Sequence, residues 1–439
     1  MFAYYFDLAL RSFRRNRVLT ALMVLAIALG IGASMTTLTV FHVLSGDPIP
    51  QKSSKLFTVQ LDPQSMDGYT PGEEPEDQVT RYDAEQLLRE AKGDRQVLMT
   101  GGGVAVQPDK QGLAPFGLDA RYASADFFPM FEPTFLAGNG WTKAQDDAHD
   151  RVTVITRKLS EKLFGTVQAV GKTVRMDDAD FRIVGVMEDF RPKPKFYDLN
   201  SDRYGEAEQI YLPFSTSRDL KMGRNGSMNC WDDHKDGPDD PEGETGVSAP
   251  CTWMQYWVQL DTPEKAEAYK RYLTNYSDQQ HASGRFQRPT NVRLRSVMEW
   301  LDYRKVVPSD VRLQVWLAFG FLAVCLLNTV GLLLAKFLRR SGEIGVRRAL
   351  GASRRAIFTQ CLIEAGTVGL AGGVLGLGLA MLGLWAVRQQ PVGYADLAHL
   401  DPMMFLTTFA LAILASVLAG LVPAWHACQV TPAVQLKSQ

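Results

Sequence analysis

Four apolar runs, each long enough to cross a bilayer, dictate what this chain can fold into, and they are unevenly placed. They cover residues 18–44, 313–335, 356–387 and 403–430. Each meets the length of about 20 residues that a helix needs to span hydrocarbon. One such run could be a buried helix of a soluble protein, but four could not. A polar block rich in Asp, Gly and Pro, residues 47–310, separates the first run from the other three. The mean hydropathy of −0.11 averages over this segregation. The expected fold class is membrane α-helical, with four transmembrane helices and a large α+β extracytoplasmic domain inserted between helices 1 and 2.

Charge sets the expected orientation. Arg11, Arg14, Arg15 and Arg17 precede the first run, and cations flanking a span hold that end in the cytoplasm. The first run is too long for a signal-peptide core and lacks a clean small-x-small cleavage site, so an uncleaved anchor is expected. Between the second and third runs lies RRSGEIGVRRALGASRR, residues 339–355. There Lys336, Arg339, Arg340, Arg347, Arg348, Arg354 and Arg355 stand against one acid, Glu343. That loop is expected in the cytoplasm with both termini, leaving the polar block and the 388–402 loop outside. The divisions are 1–46 (N-terminal amphipathic helix and first span), 47–310 (outer domain, with a β-rich insertion at about 121–250) and 311–439 (three spans). The last includes a coupling segment at 336–355. Residues 2–13 carry Phe2, Phe6 and Phe13 at helical spacing, which suits a helix in the headgroup plane or an extended start to the first span.

Within the outer block, residues 55–61 (KLFTVQL), 151–156 (RVTVIT) and 255–260 read as strands. Residues 96–99, 116–118 and 291–294 are shorter candidates. Residues 172–176 and 181–187 form a hairpin pattern around Asp177–Asp180. Helices are expected at 82–91, 159–164 and 262–276, the last with Pro263 just after a Thr262 cap. Of five cysteines, Cys325, Cys361 and Cys428 fall in spans, where a thiol acts as a small hydrophobe. Cys230 and Cys251 flank an Asp-rich loop outside, and a loop-closing disulfide is expected there rather than a metal site. Asp232, Asp233, Asp236, Asp239 and Asp240 do not match a calcium-loop spacing and read as a solvated loop.

Catalytic patterns are missing from the sequence. GTVQAVGKT, residues 165–173, has one residue too many between its glycines for a phosphate loop and follows a helical LSEKLF. None of the six histidines sits in H-E-x-x-H, and no G-x-S-x-G occurs. With a net charge of −1, no nucleic acid partner is expected. In the third run, Ala365, Gly369 and Gly373 form one small-residue stripe and Gly372, Gly376 and Ala380 another, so close helix packing is expected at Gly369, Gly373 and Gly376. Glu364 is the one formal charge inside a run. It is either a functional intramembrane acid or, the favoured reading, an acid at the inner interface paired with a basic residue.

EIGVRRALGA, residues 343–352, with the segment up to Glu364, resembles the cytoplasmic coupling segment of MacB/FtsX-type ABC transporter permeases. Residues 7–32 are similar to that family's leading helix. ASADFF (123–128), LAGNGWT (136–142), RVTVITRKLSEKLFG (151–165), VGKTVRM (170–176) and FRIVGVMEDF (181–190) resemble the MacB-type periplasmic domain. PAWHA (423–427) and TPAVQL (431–436) resemble its C-terminal tail. No nucleotide-binding domain precedes the first run as one does in MacB, and the Cys230–Cys251 loop is not part of the family pattern.

The resemblance implies a non-catalytic permease subunit of the bacterial inner membrane, working by mechanotransmission with a separate cytoplasmic ABC ATPase. Glu343, Arg347, Arg348, Ala349, Leu350, Gly351 and Ala352 would form the ATPase-docking surface, with a Glu343–Arg347 ion pair one turn apart supporting the helix. ATP and Mg2+ would be held by that partner, and no cofactor by this chain. A second permease copy or a paralogue would complete a dimer within membrane lipid, and export would add a periplasmic adaptor and an outer-membrane channel. Two alternatives use the same machinery: an FtsX-like regulator of an extracytoplasmic enzyme such as a cell-wall hydrolase, and a lipoprotein-release-type permease. A membrane-anchored sensor or enzyme with no ATPase is a third reading, of another class.

Overall fold

The computed structural model describes residues 8, 11–13, 17–109, 112–201, 203–232, 243–391, 394–395, 398–399 and 402–429. Most of the N-terminal 2–13 segment, Arg14, Arg15, the acids Asp233, Asp236, Asp239 and Asp240, and the 431–436 tail lie outside the described residues. Two units emerge: residues Met1–Ser45 with Val307–Gln439, and residues Gly46–Val306.

The first unit is a bundle of four helices long and apolar enough to cross a membrane: Arg17–Ser45, Ser309–Arg339, Arg354–Arg388 and Pro402–Gln429. At 1.5 Å per residue, the 29 residues of the first span reach about 43 Å, more than the hydrocarbon thickness of about 30 Å. A nine-residue helix, Ser341–Ala349, follows the second span almost without pause. Gly351 then turns the chain at φ 100°, a left-handed conformation that glycine adopts without strain. Ser353 restarts it as the third span by capping the Ala356 N–H at 3.2 Å.

The third span is the hub of the bundle, and its two glycine stripes face different partners. A Cβ on Gly369 would lie 2.0 Å from Ser416 Cβ, and one on Gly373 2.7 Å from Ala412 Cβ, both on the fourth span. On the other stripe, Cβ atoms on Gly372 and Gly376 would meet Ile27 and Ile31 of the first span at 2.6 Å and 3.0 Å. Backbones this close gain dispersion contacts that larger side chains would forbid. The second span joins through Ser34, whose hydroxyl donates to the Ala318 carbonyl at 3.1 Å. Replacing Gly369 with Leu should therefore cost about 3 kcal/mol by overpacking. A melting curve of the purified protein reads this out. Gly378→Leu, at a position with open space around it, is the matched control and should melt like the wild type.

The inserted domain is built on one sheet. Its strands are β1 (Leu56–Gln60), β2 (Val79–Thr80), β3 (Arg95–Gln107), β4 (Phe116–Ala123), β5 (Phe135–Gly138), β6 (Val152–Thr156) and β7 (Thr173–Met176). They continue with β8 (Ala179–Met187), β9 (Ile210–Pro213), β10 (Arg224–Asn225), β11 (Asn229–Cys230), β12 (Cys251–Gln259) and β13 (Arg293–Ser296). The main path runs β13-β1-β12-β3-β4-β9-β6-β8-β5. Its centre is antiparallel, with Trp257↔Val97 and Met99↔Ala123 in register. The β4/β9 and β6/β8 pairs are parallel, which requires the crossover segments that carry helices. The β7–β8 hairpin turns at Asp177, φ 50°. Helices Arg81–Glu90 and Pro263–Ala282 cover the sheet through Leu87 and Leu273, each fully buried. Thr80 and Thr262 cap them by accepting from the Asp83 and Lys265 N–H groups. The phosphate-loop near-match resolves as a helix end at Gly165 followed by the start of β7.

Candidate functional site

The helix Ser341–Ala349 fully buries only Gly345 and packs the half-buried Ile344 on the bundle's apolar core; polar ties add to this. Arg340 Nε donates to Glu343 Oε2 at 3.1 Å. Arg347 donates to Gln360 Oε1 on the third span at 2.9 Å, and Arg348 to the Cys428 carbonyl of the fourth span at 3.3 Å. Glu343 thus pairs back to Arg340, while the Arg347 guanidinium is taken up by Gln360, correcting the expected one-turn pair. The reason is geometric. Arg340 sits at the helix junction, three residues before Glu343, and Gln360 faces the helix across the turn.

The seven residues expected to form a docking surface therefore divide. Glu343, Arg347 and Arg348 turn toward the bundle, and Ala352 packs on its apolar core beside Ile344. Ala349, Leu350 and Gly351 remain exposed, Leu350 at 83%. Val346, one turn before Leu350 and 54% exposed, extends the same outward face. The sequence groups Val346 with Ile344, Ala349 and Leu350 in one apolar stripe suited to docking, but the expected docking surface left Val346 out.

Behind this helix, Glu364 is 3% exposed and satisfied from several directions. Ser12 Oγ donates to its Oε1 at 2.5 Å, and Lys336 Nζ lies 2.7 Å from the same oxygen. Arg340 Nη1 reaches Oε2 at 3.2 Å and also donates to Ser12 Oγ at 3.2 Å. The acid is paired with basic residues at the end of the second span. A cleft of about 10 Å³, room for one water, separates Ile344 and Arg347 from Ile357 and Gln360.

The inserted domain carries its own buried charges. Arg121 on β4, 2% exposed, donates to Asp198 Oδ2 at 2.7 Å and through Nε to Glu208 Oε1 at 3.2 Å. Lys195 lies 3.4 Å from Glu208, and Gln255 Nε2 donates to Asp198 at 3.2 Å. Two cations and two acids make a neutral set, which is what burial demands. Burial alone would raise Glu208, but Arg121 and Lys195 outweigh it and hold its carboxyl down at about 2. Tyr197 donates to Glu208 at 2.8 Å and belongs to an aromatic cluster with Phe127, Phe131, Phe190 and Phe196. Phe190, Phe196, Tyr197, Asp198 and Glu208 are thereby pinned against the sheet.

Cys230 and Cys251 are joined in a disulfide across the β11–β12 pair, 21 residues apart in sequence. A closed loop of that size contributes about 3 kcal/mol through the unfolded chain. Among the described residues no group of three His, Cys, Asp or Glu could hold a metal.

Asp146 is one of the domain's pH-sensitive groups. Burial raises its carboxyl to about 7, against hydrogen bonds from the Ala125 N–H and from Trp141 Nε1. A folded-state value above the unfolded one means that charging this acid destabilises the fold. The contribution is favourable below the unfolded value near 4, and its loss is complete above about 7, at a few kcal/mol. Melting temperature should therefore fall between about pH 4 and pH 7, and Asp146→Asn should flatten that slope. An unchanged slope in the variant assigns the pH dependence elsewhere.

Comparison with known proteins adds the family. Residues 20–276 match the MacB-like periplasmic core domain, and residues 315–432 match the FtsX-like permease C-terminal domain. The chain is 25% identical over 317 residues to the macrolide export ATP-binding/permease protein MacB of Pasteurella multocida, covering 71% of this chain and 42% of that protein. It is 23% identical over 432 residues to the pyoverdine export ATP-binding/permease protein PvdT of Pseudomonas fluorescens, covering 97% of this chain and 58% of that protein. It thus spans less than two thirds of the length of these relatives. Among solved structures, the periplasmic region of MacB from Actinobacillus actinomycetemcomitans aligns at 14% identity with a TM-score of 0.35, over 57% of this chain and 92% of that one. The extracellular domain of the ABC-type transporter YknZ from Gram-positive bacteria aligns at 12% identity with a TM-score of 0.34, over 55% and 99%. With the MacB-like core model matched over more than half its length and the FtsX-like module following, this chain belongs to the MacB-like, FtsX-containing family of ABC transporter permeases.

Proposed function

We propose that this chain is the membrane subunit of a MacB-type exporter and transmits the work of a cytoplasmic ABC ATPase to the inserted domain on the far side of the inner membrane. The observation that carries the reading is the exposed pair Val346 and Leu350. Elsewhere in the bundle, exposed apolar side chains have lipid to face. These two sit among the exposed cations Arg339, Arg354 and Arg355, which supports a position for the helix at the headgroup level, beyond the hydrocarbon. Apolar surface left in water there costs about 25 cal/mol per Å², so a covering partner is favoured. Ala349 and Gly351 flank the pair without bulk. The polar ties of Arg347 and Arg348 fix the helix to the third and fourth spans, so a push on it reaches both.

The ATPase is proposed as a partner subunit, with a second permease copy completing the assembly and both termini on the ATPase side. Purification from membranes tests this. An ABC ATPase recovered with the chain supports the reading, and an adaptor with an outer-membrane channel supports export. Recovery of a cell-wall hydrolase instead would move the output to regulation of an outer enzyme. Absence of any ATPase would sink the proposal.

A further inference from the structure

One carboxylate ties together segments that the chain keeps far apart. Glu364, on the third span, accepts from Ser12 of the N-terminal segment at 2.5 Å and lies 2.7 Å from Lys336 at the end of the second span. Arg340, at the root of the coupling helix, reaches the same carboxylate at 3.2 Å, Ser12 Oγ at 3.2 Å and Glu343 at 3.1 Å. Lys336 also lies 5.3 Å over the Phe13 ring. Lys336 is 1% exposed and Glu364 3%, so neither charge has water as an alternative partner.

We propose that this cluster is the joint through which the coupling helix moves the N-terminal segment, with Glu364 as its positioning residue. The proposal rests on the ATPase-docking reading above and adds where the received motion goes next. Three observations support a joint over a merely stabilising pair. The coupling helix packs only Gly345 and the half-buried Ile344 on the bundle, so directional polar contacts carry much of its orientation. Arg340 is bonded on one side to the coupling helix and on the other to Glu364 and Ser12, so displacement at Glu343 reaches Ser12 within one side chain. Among the described residues the four charges, Lys336, Arg340, Glu343 and Glu364, cancel, so this group can shift as a unit without exposing a net charge to hydrocarbon.

The test uses the full chain in lipid nanodiscs with its ABC ATPase, comparing wild type, Ser12→Ala and the charge-neutral double variant Glu364→Gln/Lys336→Met. The double variant avoids stranding a buried lysine. Its ATPase binding should stay at the wild-type level while stimulation of ATP hydrolysis falls about 10-fold, the size expected for a residue along a coupling route. Ser12→Ala should lose about 3-fold alone and nothing further in the double background, because Ser12 acts through Glu364. Spin labels at Arg17→Cys and Leu350→Cys, in a chain whose other free cysteines are alanine, give a second readout that needs no ATPase. Their distance distribution should be narrow in the wild type and broaden in the double variant. Wild-type stimulation in the double variant, independent losses from Ser12→Ala, or an unchanged distance distribution would each overturn the joint. Failure of the wild-type chain to bind the ATPase, with the distance broadening intact, would count against docking and leave the joint standing.

Discussion

Replacing Leu350 with Asp should release the ATPase. Leu350 is 83% exposed with Val346 one turn away, so the substitution disturbs little inside the chain. At the centre of an interface, burial of an unpaired carboxylate costs at least about 2 kcal/mol, which weakens binding about 30-fold. The pair Val346→Asp/Leu350→Asp should abolish recovery of the ATPase on purification, while the melting temperature stays at the wild-type value. Val170→Asp, an exposed apolar position on the inserted domain, is the control and should leave binding intact. The division of the seven candidate positions gives a contrast. Arg348→Ala removes a tie to the Cys428 carbonyl and should lower stimulation of the ATPase more than it lowers binding. Equal binding by the Asp pair and the wild type would show that the partner grips another surface.

The second large effect belongs to Arg121. Arg121→Met leaves Asp198 and Glu208 buried without their main cation, a change that costs about 3–5 kcal/mol. Against a domain stability of about 5–15 kcal/mol, that is enough to unfold a substantial fraction of the inserted domain near body temperature. Chemical denaturation followed by Trp257 and Trp253 fluorescence reads it directly. Neutralising all four, as Arg121→Met/Lys195→Met/Asp198→Asn/Glu208→Gln, should recover part of the loss, because no charge then remains stranded. The pH dependence has a fixed sign. Glu208 is held at about 2, below its unfolded value near 4.5, so its stabilisation is complete above about pH 4.5 and vanishes as pH falls through about 2. In Arg121→Met that carboxyl is free to protonate, so the variant's deficit should shrink in acid. A deficit that stays constant from pH 7 to pH 3 would mean that Arg121 contributes packing rather than charge.

Length, composition and glycine spacing made much of the membrane unit legible. The four spans need no partner to be recognised, and the two stripes on the third span announce two close neighbours. The sequence could not say which neighbour meets which stripe, because Ser416 and Ala412 are about 40 residues away and Ile27 and Ile31 precede by hundreds. In the coupling helix, Ile344, Val346, Ala349 and Leu350 formed one apparent stripe. The structure turns Ile344 inward and Val346 and Leu350 outward, because Arg347 and Arg348 find acceptors at Gln360 and the Cys428 carbonyl, and these set the helix's rotation. Side-chain partners at such separations leave no local trace. In the inserted domain, β3 continues through Gly101, Gly102 and Gly103, residues with no strand preference of their own. Antiparallel pairing with β4 and a bond from Asn225 to the Gly102 carbonyl hold that stretch extended. Arg121 likewise sits in a sequence, FGLDARYA, that gives no hint of burial, since its counter-charges arrive 77 and 87 residues later.

The central claim concerns one face of one short helix, and cysteine labelling reaches it directly. Leu350→Cys offers a thiol at an exposed position, whereas the native free cysteines Cys325, Cys361 and Cys428 are buried. A membrane-impermeant maleimide should modify Cys at this position in inverted inner-membrane vesicles and not in intact spheroplasts, and added ATPase should protect it. Modification from the outer side, or labelling that the ATPase leaves unchanged, would contradict the account.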